Sequence, residues 1–207
     1  MEAHFAEACL RRRIDILRQL LADPQTDPNF EYGAIFTLLY YTCEFQWVDG
    51  LKLLLKHERI DVNNSPSRAR FQTPLYVACE KGYAEIVELL LGDERLDVNK
   101  AEENGRTPFY IACKNGFIEV VKLLLNDDRL HVDLEEKLNG KTLIEVAREK
   151  EPSRTGKHDE VSKTRDYESV IELLESYQRN PIETKTKLRG QLEIWFDRNL
   201  LFIYLFL

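Results

Sequence analysis

Four cysteines in 207 residues are too few for the disulfide framework that holds small secreted domains together. Nine glycines and seven prolines exclude collagen-like and linker-like sequence. A membrane-spanning run of about 20 apolar residues is also missing. The one wholly apolar stretch, residues 200–207 (LLFIYLFL), is eight long and is cut off upstream by Asp197, Arg198 and Asn199. The first 20 residues carry Glu2, Glu7, Arg11, Arg12, Arg13 and Asp15, with no apolar core of a secretory signal. Basic residues are outnumbered 29 to 36, for a net charge of −7, so the chain lacks the concentrated positive surface that grips nucleic-acid phosphates. A phosphate-binding loop is not legible either, because Gly156-Lys157 is followed by His158 rather than Ser or Thr. The remainder, 43% hydrophobic and 31% charged, has the composition of a folded globular chain.

What is present is repetition, which has to be read before any domain count. Residues 73–99 read TPLYVACEKGYAEIVELLLGDERLDVN and residues 107–133 read TPFYIACKNGFIEVVKLLLNDDRLHVD, an offset of 34 throughout. Residues 37–63 (TLLYYTCEFQWVDGLKLLLKHERIDVN) fit the frame 36 residues earlier, and residues 7–29 (EACLRRRIDILRQLLADPQTDPN) a further 34 earlier. Downstream, KTLIEVA (141–147) restarts the pattern and YESVIELL (167–174) completes it. Between them about 15 polar residues are inserted, near 151–166, which reads as an exposed loop. The units fall near 1–29, 30–63, 64–99, 100–133 and 134–177.

Each unit carries its own punctuation. Thr73 and Thr107 are suited to cap a first helix, since their hydroxyls accept an orphan backbone N–H. Pro74 and Pro108 then take the first helical position, where a missing N–H costs nothing. Gly82 and Gly116 suit the left-handed residue that ends that helix. A second helix follows, with Ile86, Leu89 and Leu90, and likewise Val120, Leu123 and Leu124, forming one apolar stripe. Its end leads through a strand-like connection into a turn supported by Gly105 or Gly140. One such unit cannot bury its stripe alone, so neighbours must stack.

Over residues 1–177 this pattern resembles the ankyrin repeat, whose signature runs G-x-T-P-L-H-x-A-x-x-x-G-H-x-x-I-V-x-L-L-L. The chain departs from it at named places. Tyr76 and Tyr110 replace the histidine, Leu38 and Leu143 replace the proline, and Gln46 and Glu151 stand where Gly82 and Gly116 stand in the best units. Charged residues such as Asp93-Glu94-Arg95 replace the usual Gly-Ala after the second helix. The resemblance implies an all-α solenoid of stacked helix-turn-helix units joined by β-turn or hairpin tips. Residues 178–207 fall outside it. There Asn180 and Pro181 read as the start of a helix over 180–195 that acts as a C-terminal cap or connects to the apolar end 200–207, itself read as a terminal element covering the last open face of the core.

The register decides the cysteines. Cys9, Cys43, Cys79 and Cys113 hold one position in successive units, which spaces them about 10 Å apart, the helix-packing distance. Zinc–sulfur bonds of about 2.3 Å and the Cα separation of about 7 Å allowed in a disulfide both fail, so the four read as core. The histidines, His4, His57, His131 and His158, form no metal-spaced pair. The sequence therefore assigns no catalytic, cofactor-binding or metal residue.

The resemblance further implies that a partner protein lies in the concave groove formed by the tips and the first helices. In the fourth unit the matching positions are Glu103, Asn104 and Arg106 at the tip and Lys114 and Asn115 on the helix. In the third they are Arg68, Arg70 and Gln72, followed by Glu80 and Lys81, and in the fifth Lys141. In the second they are aromatic: Tyr32, Phe36, Phe45 and Trp47. Two readings of these rings stay open. Exposed aromatics are common interface anchors, yet a degenerate unit could equally pack them on its own turn or on the incomplete first unit. Arg68 and Arg70 suit an acidic peptide or a phosphate, or else a solvated loop. Residues 31–145 hold 20 acidic and 14 basic residues, so steering favours a partner of basic character. The reading is thus a monomeric cytoplasmic or nuclear protein-binding scaffold, with no enzyme activity, small-molecule substrate or cofactor. The alternatives are an adaptor held at a membrane by residues 200–207, or a regulatory part of a larger multidomain protein.

Overall fold

The computed structural model describes residues 7–33, 36–150 and 166–191. The first helix of each unit is called inner and the second outer. Inner helices span Leu38–Glu44, Pro74–Lys81, Pro108–Lys114 and Leu143–Lys150 in the second to fifth units. Outer helices span Ile14–Ala22, Val48–Leu55, Ala84–Leu91, Ile118–Asn126 and Tyr167–Arg179 in the first to fifth. Inner helices pack on inner and outer on outer, unit by unit. One hydrophobic core runs from Ala8 to Leu188. Among the described residues no helix is long and apolar enough to cross a membrane.

The helix starts follow the capping argument. Thr37, Thr73 and Thr107 accept the backbone N–H three residues on, each at 3.1 Å. In the fifth unit Thr142 and Glu145 cap reciprocally, with Thr142 N–H donating to the Glu145 carboxylate at 2.8 Å, the capping-box arrangement. At the other end Gly82 and Gly116 have φ of +75° and +74°. A Cβ on Gly82 would stand 2.5 Å from the Phe117 ring, and one on Gly116 3.1 Å from Tyr167. Tyr167 thus takes over the place of Phe117 across the insertion, and Asp166 caps its helix by accepting the Ser169 N–H at 2.9 Å. The rest of the insertion, Glu151, and the apolar end 200–207 lie outside the described residues. Arg12 and Gln46, the register equivalents of these glycines, adopt φ of +50° and +51°, so the frame enforces a left-handed residue even without glycine.

The connections between units are turns rather than strands; only isolated bridges, Tyr32–Phe36 and Leu138–Lys141, occur among the described residues. Two ladders tie these turns together. Asn29, Asn63 and Asn99 each donate to a backbone carbonyl of the next unit (Arg59, Arg95, Arg129) at 2.7–2.8 Å. Each also accepts a backbone N–H there, from Asp61, Asp97 and His131, at 2.7–2.8 Å. The second ladder explains the charged departure from the repeat pattern. Arg95 is held by Asp93 at 2.6 Å and donates to the Leu55 carbonyl at 3.1 Å. Arg129 is held by Asp127 and donates to the Leu91 and Asp93 carbonyls at 2.7 and 2.9 Å. Each guanidinium so caps the C-terminal carbonyls of the preceding outer helix, where positive charge is favoured.

A helix over residues 181–191 follows the fifth unit, started by Asn180, whose carboxamide oxygen accepts the Glu183 N–H at 3.2 Å. It buries Leu188 and Thr184. Lys185 and Arg189 meet Asp128 of the fourth unit, while Thr184 contacts Ser176 of the fifth at 3.1 Å. Its charged contacts thus reach back to the fourth unit, beside the outer helices.

Candidate functional site

The inner face is built from the inner helices and the tips. Its floor is the tyrosine row that replaces the expected histidine: Tyr40 and Tyr76 are buried and Tyr110 is half-buried. Burial pushes the Tyr76 phenol up to about 12 and raises those of Tyr40 and Tyr110 as well, so the row is neutral. Above the floor, residue positions align in register. Leu10, Glu44, Glu80 and Lys114 form one line, and Phe45, Lys81 and Asn115 the next.

Toward the C-terminal units this face is charged, and most of its charges are engaged with one another. Lys81 pairs with Glu44 at 3.0 Å, Arg70 with Glu103 at 3.5 Å, Arg106 with Glu102 at 3.9 Å, and Lys141 with Glu149. Two of these link different units, and Asn115 adds a third link by donating to the Glu80 carbonyl at 3.0 Å. Arg106 also acts on the Tyr76 phenol, lowering its pKa against the effect of burial. Gln72 is half-buried, whereas Arg68 and Asn104 are exposed and Lys114 is half-buried. The buried Glu102 organises the fourth tip, accepting the N–H groups of Asn104 and Arg106 at 3.0 and 3.2 Å. Sequence reading passed over it, since nothing in the Glu102-Glu103 pair says which one turns inward. Arg70 and Phe71 are both left-handed, with φ of +50° and +62°. This places Phe71 on the outside of the longer third tip, 66% exposed. It too was missed.

The second unit carries an aromatic cluster instead. Phe36 is half-buried at its centre, 5.7 Å from the Tyr41 ring and 5.8 Å from Phe45, and Tyr41 and Phe45 are 4.5 Å apart. Phe45 is 42% exposed, Tyr32, bridged to Phe36 through the backbone, is exposed, and Leu10 on the first unit is 75% exposed. The expected groove residue Trp47 does not belong to this surface. It is 4% exposed, because it occupies the position that starts the outer helix, as Phe117 does, and its indole covers Gly50, where a Cβ would come within 2.5 Å. The aromatic segment therefore divides: Trp47 is core, Phe36 is intermediate, and Tyr32 and Phe45 face outward.

The four cysteines line the core as free thiols. Burial pushes Cys9 and Cys43 up to about 12 and raises Cys79 and Cys113 well above the ordinary value. His57 lies against the Leu21 carbonyl at 3.3 Å, in the turn after an outer helix.

Helices stacked in two rows, with inter-unit ladders at the turns and a varied inner face, define a helical repeat protein. A family model described as ankyrin repeats (three copies) matches residues 5–102 and 94–155; the chain belongs to the ankyrin-repeat family. Ankyrin repeats are generic protein–protein interaction modules. A comparison with curated proteins finds no match to this chain.

Proposed function

We propose that the chain is a non-catalytic scaffold or adaptor that binds another protein through its inner face, anchored at the aromatic end of the second unit. The observation that carries this reading is the exposure of Phe45 and Tyr32 at the aromatic end of the inner face, while at the charged end Lys81, Arg70 and Arg106 pair with carboxylates. Exposed aromatic rings supply contact area at low ordering cost and are typical interface anchors. The stacked frame limits the entropy lost on association, because the binding residues are already held in place. A role for the cysteines as nucleophiles is disfavoured, since that chemistry needs a thiolate and burial raises all four thiols. Their free state suits a reducing compartment such as the cytoplasm.

Affinity purification with mass spectrometry tests the surface. Partners recovered by the wild-type chain are expected to disappear with the double variant Tyr32→Ser, Phe45→Ser and to persist with Lys122→Ala, an outer-helix exchange. Partners unchanged by the double variant would overturn the assignment.

A further inference from the structure

The charged part of the inner face has one carboxylate left over. Glu80 is half-buried on the inner helix of the third unit, in line with Glu44 and Lys114. Its carboxylate makes no hydrogen bond or ion pair among the described residues, although Lys81, Lys114 and Arg106 are close enough to act on it. Lys81 is instead drawn to Glu44 at 3.0 Å, and Arg106 to Glu102 at 3.9 Å. A half-buried carboxylate with no cation in contact keeps a demand for one, because desolvation weakens its contact with water and the charges of Lys81, Lys114 and Arg106 offset only part of that. Burial, the largest influence on it, raises its pKa despite the three cations nearby.

Glu80 adjoins the aromatic end. Glu44 connects the two: it is the neighbour of Phe45 in the chain, and it and Glu80 both act on Tyr40. One repeat separates the second and third units, about 10 Å at helix-packing distance, which an extended segment spans in roughly three residues. Resting on the proposed inner-face reading, we infer that the partner presents a basic–apolar segment: a bulky apolar side chain on the Phe36–Tyr41–Phe45 cluster and, about three residues away, an arginine or lysine that pairs with Glu80. The net charge of −6 over residues 31–145, from 20 acidic and 14 basic residues, draws such a segment in.

A phage-displayed library of random dodecapeptides, panned on the full chain, is the probe. Recovered peptides are expected to share one bulky apolar and one basic residue at that spacing. A synthetic copy should bind about tenfold more weakly to Glu80→Gln, an isosteric exchange, and about tenfold more weakly to Phe45→Ser, while Lys122→Ala leaves binding unchanged. Circular dichroism melts matching the wild type certify that the variants fold. Recovery of acidic or phosphate-mimicking peptides, or affinity indifferent to Glu80→Gln, overturns the basic–apolar inference. If Phe45→Ser still weakens binding, the inner-face reading survives that result. Indifference to both exchanges, or recovery of no binder, overturns the inference, and indifference to both overturns the inner-face reading as well.

Discussion

The aromatic and charged ends of the inner face use one backbone frame in different ways. At Lys81 and Asn115 the side chain reaches back to the preceding unit, to Glu44 and to the Glu80 carbonyl, so the charged end helps hold the stack together. At the equivalent position in the second unit Phe45 stacks with Tyr41 and Phe36 and stays 42% exposed. Surface in one place is spent on cohesion and in the other is left for contact. Position in a repeat fixes where a side chain stands, but only the side chain's own chemistry decides whether it faces a neighbour or the solvent.

Two aromatic residues two positions apart give the strongest way to break that comparison. Trp47→Ala is expected to destabilise the chain by about 3–5 kcal/mol, the usual cost of emptying a large core site, as measured by urea denaturation. If Trp47→Ala proves mild, the division of the aromatic segment into core and surface is wrong. Gly82→Ala comes next. It combines a left-handed penalty of roughly 1–2 kcal/mol with a Cβ 2.5 Å from the Phe117 ring, a clash costing about 1–3 kcal/mol. A loss of only about 1–2 kcal/mol would show that the ring moves aside, and a wild-type midpoint would overturn the left-handed penalty as well.

The arginine ladder should show a smaller effect. Arg129→Ala removes donors to two carbonyls of the preceding unit, and losing hydrogen bonds from a charged group costs about 1.5–3 kcal/mol. The ladder also carries a pH signature. The hydrogen bond from Arg95 is the largest influence that holds the Asp93 carboxyl below its ordinary value of 3.8. A lowered folded value means the stabilisation is present above that ordinary value and is lost as pH falls through the folded one. An acid titration of stability should therefore fall more steeply below about pH 4 in the wild type than in Arg95→Ala. Parallel curves would show that the clasp does not couple to folding.

Most of the frame was legible because it depends on residue types with few substitutes. Threonine caps, Pro74 and Pro108, and Gly82 and Gly116 each meet a backbone demand that short-range chemistry dictates, and the 34-residue offset multiplies the signal. The asparagine and arginine ladders were visible as recurring letters, Asn63 and Asn99 or Arg95 and Arg129, but their partners are backbone atoms some 30–40 residues away. Letters alone do not name such partners. The candidate face was legible only as a set of positions. Trp47 stayed open between groove and core because an aromatic residue at the start of an outer helix looks the same in sequence whether it turns toward Gly50 or toward solvent. Glu102 and Phe71 were passed over because tip conformation, with left-handed residues at 70 and 71, decides which side chain turns in.

The smallest expected effect has the opposite sign and returns to the two ends of the frame. Gln46 in the second unit holds the left-handed conformation, φ +51°, that Gly82 and Gly116 hold in the third and fourth. A residue with a Cβ gives up roughly 1–2 kcal/mol to stay there, whereas glycine gives up about 0.5–1 kcal/mol of extra freedom when the chain folds. Gln46 is exposed, so little packing is lost with its side chain. Gln46→Gly should therefore stabilise the chain by about 0.5–1 kcal/mol, raising the urea midpoint without changing the slope. The gain must come from the second unit alone, because the same exchange is already made in the next two. A lowered midpoint would mean that the Gln46 side chain supports the aromatic end in a way its exposure does not suggest, and the second unit would then owe its shape to the rings rather than to the repeat frame.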